Sequence, residues 1–336
     1  METKDSFYTN EQASLASFSE LTKSQVVEIQ SEARLQPAPF LKWAGGKSQL
    51  LRQFDELYPA RFVDYYEPFL GGGAVFFELY SLGKIKRAHL NDANADLMNL
   101  WAAVKLKLDQ LEAELERLRK ETDDSDSYYK NRREFNSIAL PTNALEDPHV
   151  RKAALFVYLN KTCFNGLYRV NAGGEFNVPF GRYVRPRLFS HQLLRAVSKA
   201  LQDDGRVELT SVDFEAAVEG ARKGDFVYFD PPYQPLSATA SFTAYTATGF
   251  GKEQQDRLSR CFKRLDKRGC YAMLSNSSSG GALNALYKEY FDERTVETVK
   301  AARAISSKGK TRGAIDELVI MNYRPRKRHQ KSLGEF

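Results

Sequence analysis

The stretch FVDYYEPFLGGGAVFFELYSLGKIKRAHLND, residues 62–92, carries in succession the signals of a strand, a helix and a second strand. The aromatic and β-branched run at 62–68 predicts the first strand, and 88–91 predicts the second. Three glycines and then an apolar helical pattern at 74–82 lie between them. This order is the start of a βαβ unit, so the stretch predicts an α/β fold built on a parallel sheet.

Strand and helix patterns recur along the rest of the chain. Strands are predicted at 207–210, 226–229, 271–275 and 317–321, and helices at 95–120, 128–138, 150–159 and 252–265. The Gly- and Asn-rich segment 160–190 predicts loops and a hairpin. We predict a flexible extension at 1–35, a sheet domain with helices on both faces at 36–104 and 205–325, a mostly helical insert at 105–204, and a basic tail at 326–336.

Length and composition exclude several classes of protein. The 336 residues include 42% hydrophobic residues, enough for a sizeable core. No apolar run approaches the ~20 residues of a membrane-spanning helix, and the first residues lack the basic-then-apolar order of a secretory signal. The three cysteines form no CxxC pair, which argues against a disulfide framework or a zinc site. We therefore expect a cytoplasmic protein without membrane contacts or a metal.

Positive charge is concentrated in one part of the chain. The net charge is +6, which many soluble enzymes reach. Residues 151–187, however, hold seven Lys and Arg residues against the single acid Glu175. Basic residues interleaved with aromatic ones suit a polyanion, although a solvated surface is the plain alternative.

The glycine loop at 69–73 is followed, 19 residues after Gly73, by Asp92 at the end of the second predicted strand. Glycines there would let the backbone around Phe69, Gly71 and Gly73 approach a ligand, although a tight turn before a helix is the simpler explanation. An acid at this offset can accept hydrogen bonds from ribose hydroxyls, which predicts an adenosine-containing cofactor. NAD and S-adenosylmethionine are the candidates, and GGGAVF lacks the third glycine of the GxGxxG pattern of NAD sites.

The stretch FVYFDPPY, residues 226–233, ends an apolar strand with an acid, two prolines and an aromatic ring. Pro231 and Pro232 stiffen the chain after Asp230 and supply carbonyl acceptors without a competing N–H donor. Tyr233 adds a flat ring. We interpret the four residues as a socket with two acceptors and a stacking face, suited to a planar exocyclic amine.

Methyl transfer to the N6 amine of adenine fits this socket. If Asp230 and the carbonyl of Pro231 accept the two amine hydrogens, the nitrogen lone pair can point at a sulfonium methyl group. Asp230 takes the released proton late, or water does; the residues leave both open. An adenine in duplex DNA reaches such a pocket only after it rotates out of the stack, at a cost of a few kcal/mol.

Seven motifs in order resemble the Dam-type (D12 class) family of N6-adenine DNA methyltransferases that act at GATC. They are FLKWAGGK (40–47), EPFLGGGAVFF (67–77), LNDANADL (90–97), YLNKTCFNGLYRVNAGGEFNVPFGRY (158–183), FDPPYQPLSATASFTAYTATGF (229–250), LSNSS (274–278) and ISSKGKTRGAIDEL (305–318). The resemblance implies a Rossmann-like S-adenosylmethionine-dependent methyltransferase sheet with an inserted DNA target-recognition domain. It also implies the product S-adenosylhomocysteine, double-stranded DNA as the partner, and a monomer.

The resemblance also implies roles for single residues. Trp43 and Lys47 would contact the cofactor, Lys47 through the methionine carboxylate, and Asp92 would bind the ribose. Asp230 would contact the cofactor side as well as the target amine. Arg169 would read a guanine edge, where a bidentate contact discriminates by ~1–3 kcal/mol. The other implied DNA contacts are the apolar Leu167 and Pro179, the polar Asn165 and Arg182, and Phe164, which stands where the family has a wedging tyrosine. Without the resemblance, Trp43 reads as a core residue and Lys47 as a surface charge.

Other functions remain open at this point. A methyltransferase acting on an amine of RNA or protein would share the socket, and a DNA-binding protein on an inactive methylase scaffold would share the insert. The sequence does not separate a stand-alone methylase from one paired with a cognate restriction endonuclease. An NAD-dependent dehydrogenase is the least favoured reading, because the GxGxxG pattern is absent.

Overall fold

Seven β-strands form one mixed sheet in the computed structural model, which describes residues 35–122, 124–232, 250–277, 286–287, 296–302 and 314–325. The strands are β1 (Tyr65–Glu67), β2 (Ala88–Asn91), β3 (Val207–Thr210), β4 (Phe226–Phe229), β5 (Tyr271–Ser277), β6 (Val296–Ala302) and β7 (Ala314–Met321). Their order is β3-β2-β1-β4-β5-β7-β6. The first five in this order are parallel, and β7 runs antiparallel to both β5 and β6.

Helices lie on both sides of the sheet. They are α1 (Leu51–Phe54), α2 (Ala74–Ser81), α3 (Ala95–Leu106), α4 (Leu108–Leu118), α5 (Ser125–Ser137), α6 (Val150–Thr162), α7 (His191–Gln202), α8 (Phe214–Ala217) and α9 (Lys252–Arg268). Short 3-10 turns occur at Lys47–Gln49, Arg119–Glu121, Phe164–Gly166 and Asp203–Gly205. The predicted α/β class with a Rossmann-like sheet and helices on both faces is confirmed.

The central strand β4 shows why the sheet is covered on both faces. All four of its residues are buried. Phe226 and Tyr228 pack into one core with α2 and α3, whereas Val227 and Phe229 pack into a second core with α9. Because successive side chains of a strand point to opposite faces, an unbroken apolar run is what a parallel strand between two layers requires.

The predicted elements and the structure differ at several places. The strands at 88–91, 207–210 and 226–229 have the predicted bounds, but the first strand is shorter than 62–68. The single helix predicted at 95–120 is wrong: Lys107, with φ −136° and ψ 39°, separates α3 from α4. The break separates α3, which is buried around most of its circumference, from α4, which buries one side. Helix α7 and strand β6 were not predicted.

The helices that follow α3 pack on α3 and on one another. The first core continues without interruption from Phe40 and Trp101 to Leu111 of α4, Leu155 of α6 and Leu194 of α7. Residues from Pro37 onward accordingly form one compact unit, distinct from Met1–Gln36. The predicted extension at 1–35 lies outside the described residues except for Leu35, and the basic tail at 326–336 lies outside them entirely.

Candidate active site and nucleic-acid interface

Three carboxylates meet at the carboxyl edge of the sheet. The strand order reverses at β1, whose neighbours are β2 and β4, and ligands of open α/β sheets bind at such a switch point. Glu67 is the last residue of β1, Asp92 follows β2, and Asp230 follows β4. The sequence-based placement of Asp92 and Asp230 at one edge is therefore correct.

Asp92 is hydrogen-bonded to the glycine loop. Gly71 and Gly73 adopt positive φ angles of 49° and 70°, which favour glycine. One oxygen of Asp92 accepts from the N–H of Gly71 at 2.9 Å, and the other accepts from the N–H of Asn94 at 2.9 Å. Burial raises the pKa of Asp92 to about 6, although these two N–H donors oppose the rise. Each oxygen keeps a lone pair that could accept a hydroxyl.

Trp43 packs between the glycine loop and the helical layer. A methyl group at Gly71 would lie 2.6 Å from Nε1 of Trp43, so only glycine fits there. On the other side the indole stacks on Phe156, with ring centres 6.3 Å apart, and lies 6.0 Å from the ring of Tyr168. Trp43 thus contacts both the predicted cofactor loop and the predicted insert.

Lys47 lies between two carboxylates. Its Nζ is 2.6 Å from Oδ1 of Asp230 and 3.2 Å from Oε1 of Glu317, and it donates to the carbonyl of Gly45 at 2.8 Å. The side chain is only 3% exposed. Burial raises the pKa of Asp230 to about 6; the nearby ammonium of Lys47 lowers it and the charge of Glu317 raises it. Asp230 is therefore ionised, and able to accept a hydrogen bond, above about pH 6.

Glu317 was not among the predicted site residues. It lies on β7, is buried, and accepts a hydrogen bond from the hydroxyl of Ser275 on β5. The signal in the sequence was a single acid at the start of the apolar run ELVIM.

Glu67 is the most deeply buried acid of the edge. It is 3% exposed and accepts from the hydroxyl of Tyr65 at 2.8 Å. Burial raises its pKa to about 8; Asp230 and Asp92 add to the rise and the Tyr65 hydroxyl opposes it. At neutral pH Glu67 is mostly a neutral acid.

Aromatic rings pack around Phe69 of the glycine loop. Phe69 stacks on Phe214 with ring centres 5.4 Å apart and meets Phe250 edge-on at 5.6 Å. Neither Phe214 nor Phe250 was predicted, because no local pattern marks them. Pro231 is buried and Pro232 half-buried, whereas Tyr233 lies outside the described residues.

The edge suits S-adenosylmethionine by its chemistry. The Trp43 ring packs closely against the glycine backbone and fixes the loop, and Asp92 offers acceptors beside it. The carboxylates match a ligand that carries a sulfonium and an ammonium charge. No cluster of three or more His, Cys, Asp or Glu residues in the described part of the chain is arranged to hold a metal.

The predicted DNA contacts lie on one hairpin-like segment. Bridges join Cys163 to Phe180 and Val170 to Phe176, and the N–H of Phe164 donates to the carbonyl of Pro179 at 2.8 Å. Phe164 is 48% exposed, which is unusual for a large ring. Leu167 packs partly into the first core, whereas Pro179 and Arg182 are exposed. The segment thus brings Phe164 and Pro179 together at the surface.

Three of the predicted DNA contacts have a constrained backbone or side chain. Asn165 and Arg182 adopt positive φ angles of 56° and 54°, which are uncommon for residues other than glycine. Arg169 is fixed by Asn177, whose side-chain oxygen accepts from Nε at 2.7 Å and whose carbonyl accepts from the guanidinium at 3.3 Å. Asn177 was not predicted.

Comparisons with known proteins identify the family of the chain. A family model described as D12 class N6 adenine-specific DNA methyltransferase matches residues 43–305. The type II methyltransferase M.MjaIII of Methanocaldococcus jannaschii is 44% identical over 297 residues, which cover 85% of this chain and 99% of the relative. Type II methyltransferase M1.LlaDCHI of Lactococcus lactis subsp. cremoris is 42% identical over 285 residues, covering 85% and 95%.

A DNA adenine methylase of Escherichia coli K12 is also similar, with 38% identity over 287 residues that cover 85% of this chain and 95% of the relative. Within the described ranges, no helix has the length and apolar character needed to cross a membrane. The chain belongs to the D12 class of N6 adenine-specific DNA methyltransferases.

Proposed function

We propose that this chain transfers the methyl group of S-adenosylmethionine to N6 of adenine in double-stranded DNA, within the sequence GATC. The observation that carries the proposal is the carboxylate of Asp230, held by Lys47 at 2.6 Å at the end of β4, beside the switch point of the sheet. Family membership supports adenine as the target base and DNA as the substrate. The methyl donor, the recognition sequence GATC and the rotation of the target base out of the duplex are our inference.

The chain's own residues would hold the cofactor at the glycine loop. Backbone groups of Phe69, Gly71 and Gly73 line the cofactor site. Asp92 accepts hydrogen bonds from the ribose hydroxyls, and Trp43 packs against the glycine loop and supports it. When bound, S-adenosylmethionine supplies an electrophilic methyl group on a sulfonium centre. The carboxylates of Asp92 and Asp230, ionised above about pH 6, stabilise positive charge, since an opposite charge in a poorly solvated site interacts strongly.

Asp230 would orient and polarise the target amine. Ionised above about pH 6, it accepts one amine hydrogen while the carbonyl of Pro231 accepts the other. Pro232 stiffens this turn, and Tyr233 supplies the stacking face. Lys47 contacts Asp230 directly, so we now assign it to holding that carboxylate as well as to the cofactor.

Base rotation would give the adenine access to this edge. The exposed ring of Phe164 is suited to filling the gap that the rotated base leaves, since apolar and aromatic side chains can insert between base steps. Segment 105–204 would serve as the recognition domain. Arg169 would read guanine, with Leu167 and Pro179 against bases and Asn165 and Arg182 near the backbone.

Methylation mapping tests the proposal. The purified protein would be incubated with an unmethylated plasmid and S-adenosylmethionine, and methylated adenines would be located by sequencing. We expect N6-methyladenine at GATC and no transfer to RNA of the same sequence. Methylation at another sequence would refute the GATC assignment, and transfer to RNA alone would refute DNA as substrate.

Two variants separate catalysis from recognition. Asp230→Ala should abolish transfer while DNA affinity stays within about threefold, because the lost group acts on the amine. Asp204→Ala, which changes a carboxylate that is 92% exposed, serves as the control.

Arg169→Ala should relax the choice of guanine in the plasmid map, whereas an unchanged map would contradict its assigned role.

A further inference from the structure

A basic groove lies within the predicted insert 105–204. It has a volume of about 690 Å³ and runs between the turn Arg119–Glu121 and the segment 185–191. Arg119 and Lys120 line one side, and Arg185 and Arg187 line the other. Nine of its twelve lining residues are polar or charged, and the other three are Pro186, Leu188 and Phe189.

The charges of the groove favour an anion. Its two carboxylates already have partners: Glu116 lies 3.2 Å from both Arg119 and His191, and Asp124 accepts from backbone N–H groups at the start of α5. Lys120 and Arg187, in contrast, form no ion pair within the described ranges. Among the described lining residues, four cations stand against two carboxylates that are already engaged, so these residues together carry a net positive charge.

The position of the groove indicates which anion is available. Arg187 follows Arg182 by five residues, and five extended residues span at most about 17 Å. Phosphates of one DNA strand succeed each other every ~3.4 Å along the helix axis, so this reach corresponds to about five base pairs. A duplex bound at Arg182 would therefore bring its flanking phosphates near the groove.

We propose that the groove binds backbone phosphates of the DNA that flanks the recognition sequence. The inference rests on the proposed function and extends its interface. Contacts of this kind raise affinity without reading sequence, since phosphates are the same in every sequence. They would retain the protein on long DNA and contribute little on a duplex that ends near the site.

Duplex length and salt test the proposal. The double variant Lys120→Ala/Arg187→Ala would be compared with wild type on two duplexes that share one site and extend about two or about ten base pairs beyond it. We expect KM on the long duplex to rise roughly tenfold, with KM on the short duplex and kcat unchanged. The slope of log affinity against log salt on the long duplex should become shallower by about 1.8, which is two phosphate contacts at ~0.9 each.

A matched control is available on α7. Arg195→Ala/Lys199→Ala removes two exposed cations that do not line the groove, and it should leave both KM values and the salt slope unchanged. Equal effects of the two double variants, or an unchanged salt slope in the groove variant, would overturn the proposal. Failure of the proposed function is distinguishable, because the wild type would then methylate neither duplex.

Discussion

Lys47 contacts both Asp230 and Glu317, so the charge at one position affects two acids. The ammonium lowers the pKa of Asp230, which burial and Glu317 raise. In Lys47→Met the pKa of Asp230 should rise above about 6, because the favourable charge is gone and the repulsive one remains. The acid limb of kcat/KM against pH, measured at saturating cofactor, should therefore move to higher pH.

Glu317→Gln provides the opposite change. Without the negative charge of Glu317, the pKa of Asp230 should fall, and the acid limb should move to lower pH. Opposite shifts in the two variants are expected only if Asp230 titrates in the active enzyme. Acid limbs that coincide in wild type and both variants would assign the limb to another group.

Because Trp43 packs closely against Gly71, we expect a larger side chain at this position to weaken cofactor binding. Gly71→Ala would place a methyl group 2.6 Å from the Trp43 ring, whereas at Gly83, which also has positive φ, nothing lies within 4 Å. Both alanine variants strain the backbone, but only Gly71→Ala should disturb the loop. S-adenosylhomocysteine at 100 times its Kd should stabilise wild type and Gly83→Ala by ~2.7 kcal/mol in thermal melts. Similar ligand-induced shifts in Gly71→Ala would contradict this role of the loop.

Residues whose function follows from local pattern could be predicted from the sequence. Asp92 and Asp230 follow apolar strands, and the ends of parallel strands meet at one edge. Glu317 reaches the same site from a strand 270 positions after Lys47, and no local pattern encodes that contact. Asn177, which fixes Arg169, escaped prediction because its role depends on hairpin geometry.

Asn160 of α6 is joined to the chain segment before Trp43 by paired hydrogen bonds. Its oxygen accepts from the N–H of Lys42 at 2.9 Å, and its Nδ2 donates to the carbonyl of Lys42 at 2.7 Å. Asn160→Ala should displace Lys42 and the adjacent Trp43, so KM for S-adenosylmethionine should rise about tenfold, or ~1.4 kcal/mol. Steady-state kinetics with varied cofactor measure this.

Asn136 of α5 is the matched control. It accepts from the N–H of Phe176 at 2.9 Å and donates to the carbonyl of Phe176 at 3.0 Å in the same paired manner, but it connects α5 to the hairpin-like segment and not to the chain beside Trp43. Asn136→Ala should lose a comparable ~1–3 kcal/mol of stability while KM for the cofactor stays unchanged. A similar rise in cofactor KM in both variants would indicate a general loss of structure.

At the level of elements, predictability followed the strength of the pattern. Strand β4 is apolar throughout because two layers cover it, and its bounds were predicted. Strand β6, VETVKAA, pairs with β7 and with no other strand of the described sheet. It mixes charged with apolar residues, so its pattern is weak. No Gly or Pro in the sequence marks the break at Lys107. Tertiary packing, and not a local sequence signal, sets the direction of α4.

Considered as a whole, the unit from Pro37 onward has a core shared by the sheet and the predicted insert. Because Leu111, Leu155 and Leu194 pack in the same core as Phe226, the insert cannot lose its packing without exposing the sheet. We expect urea unfolding of this unit to be a single transition, with far-UV circular dichroism and tryptophan fluorescence coincident. Two separate transitions, with the insert unfolding first, would contradict this.

The fold class was predictable because a βαβ unit restricts the topology strongly, and parallel strands have a distinctive apolar pattern. Local patterns did not determine how the insert packs. Helices α4 to α7 could have formed a separate body on a linker, and their continuous packing with α3 depends on contacts distant in sequence.

The neutral state of Glu67 has a thermodynamic consequence for the entire chain. Its pKa is about 8 in the folded protein and near 4.5 when exposed, so between these values folding takes up a proton and unfolding releases it. The folded state then binds more protons, and this acid makes stability fall as pH rises across the window. A calorimeter should therefore record different unfolding enthalpies at pH 7 in buffers with different heats of ionisation, a difference that Glu67→Gln should reduce.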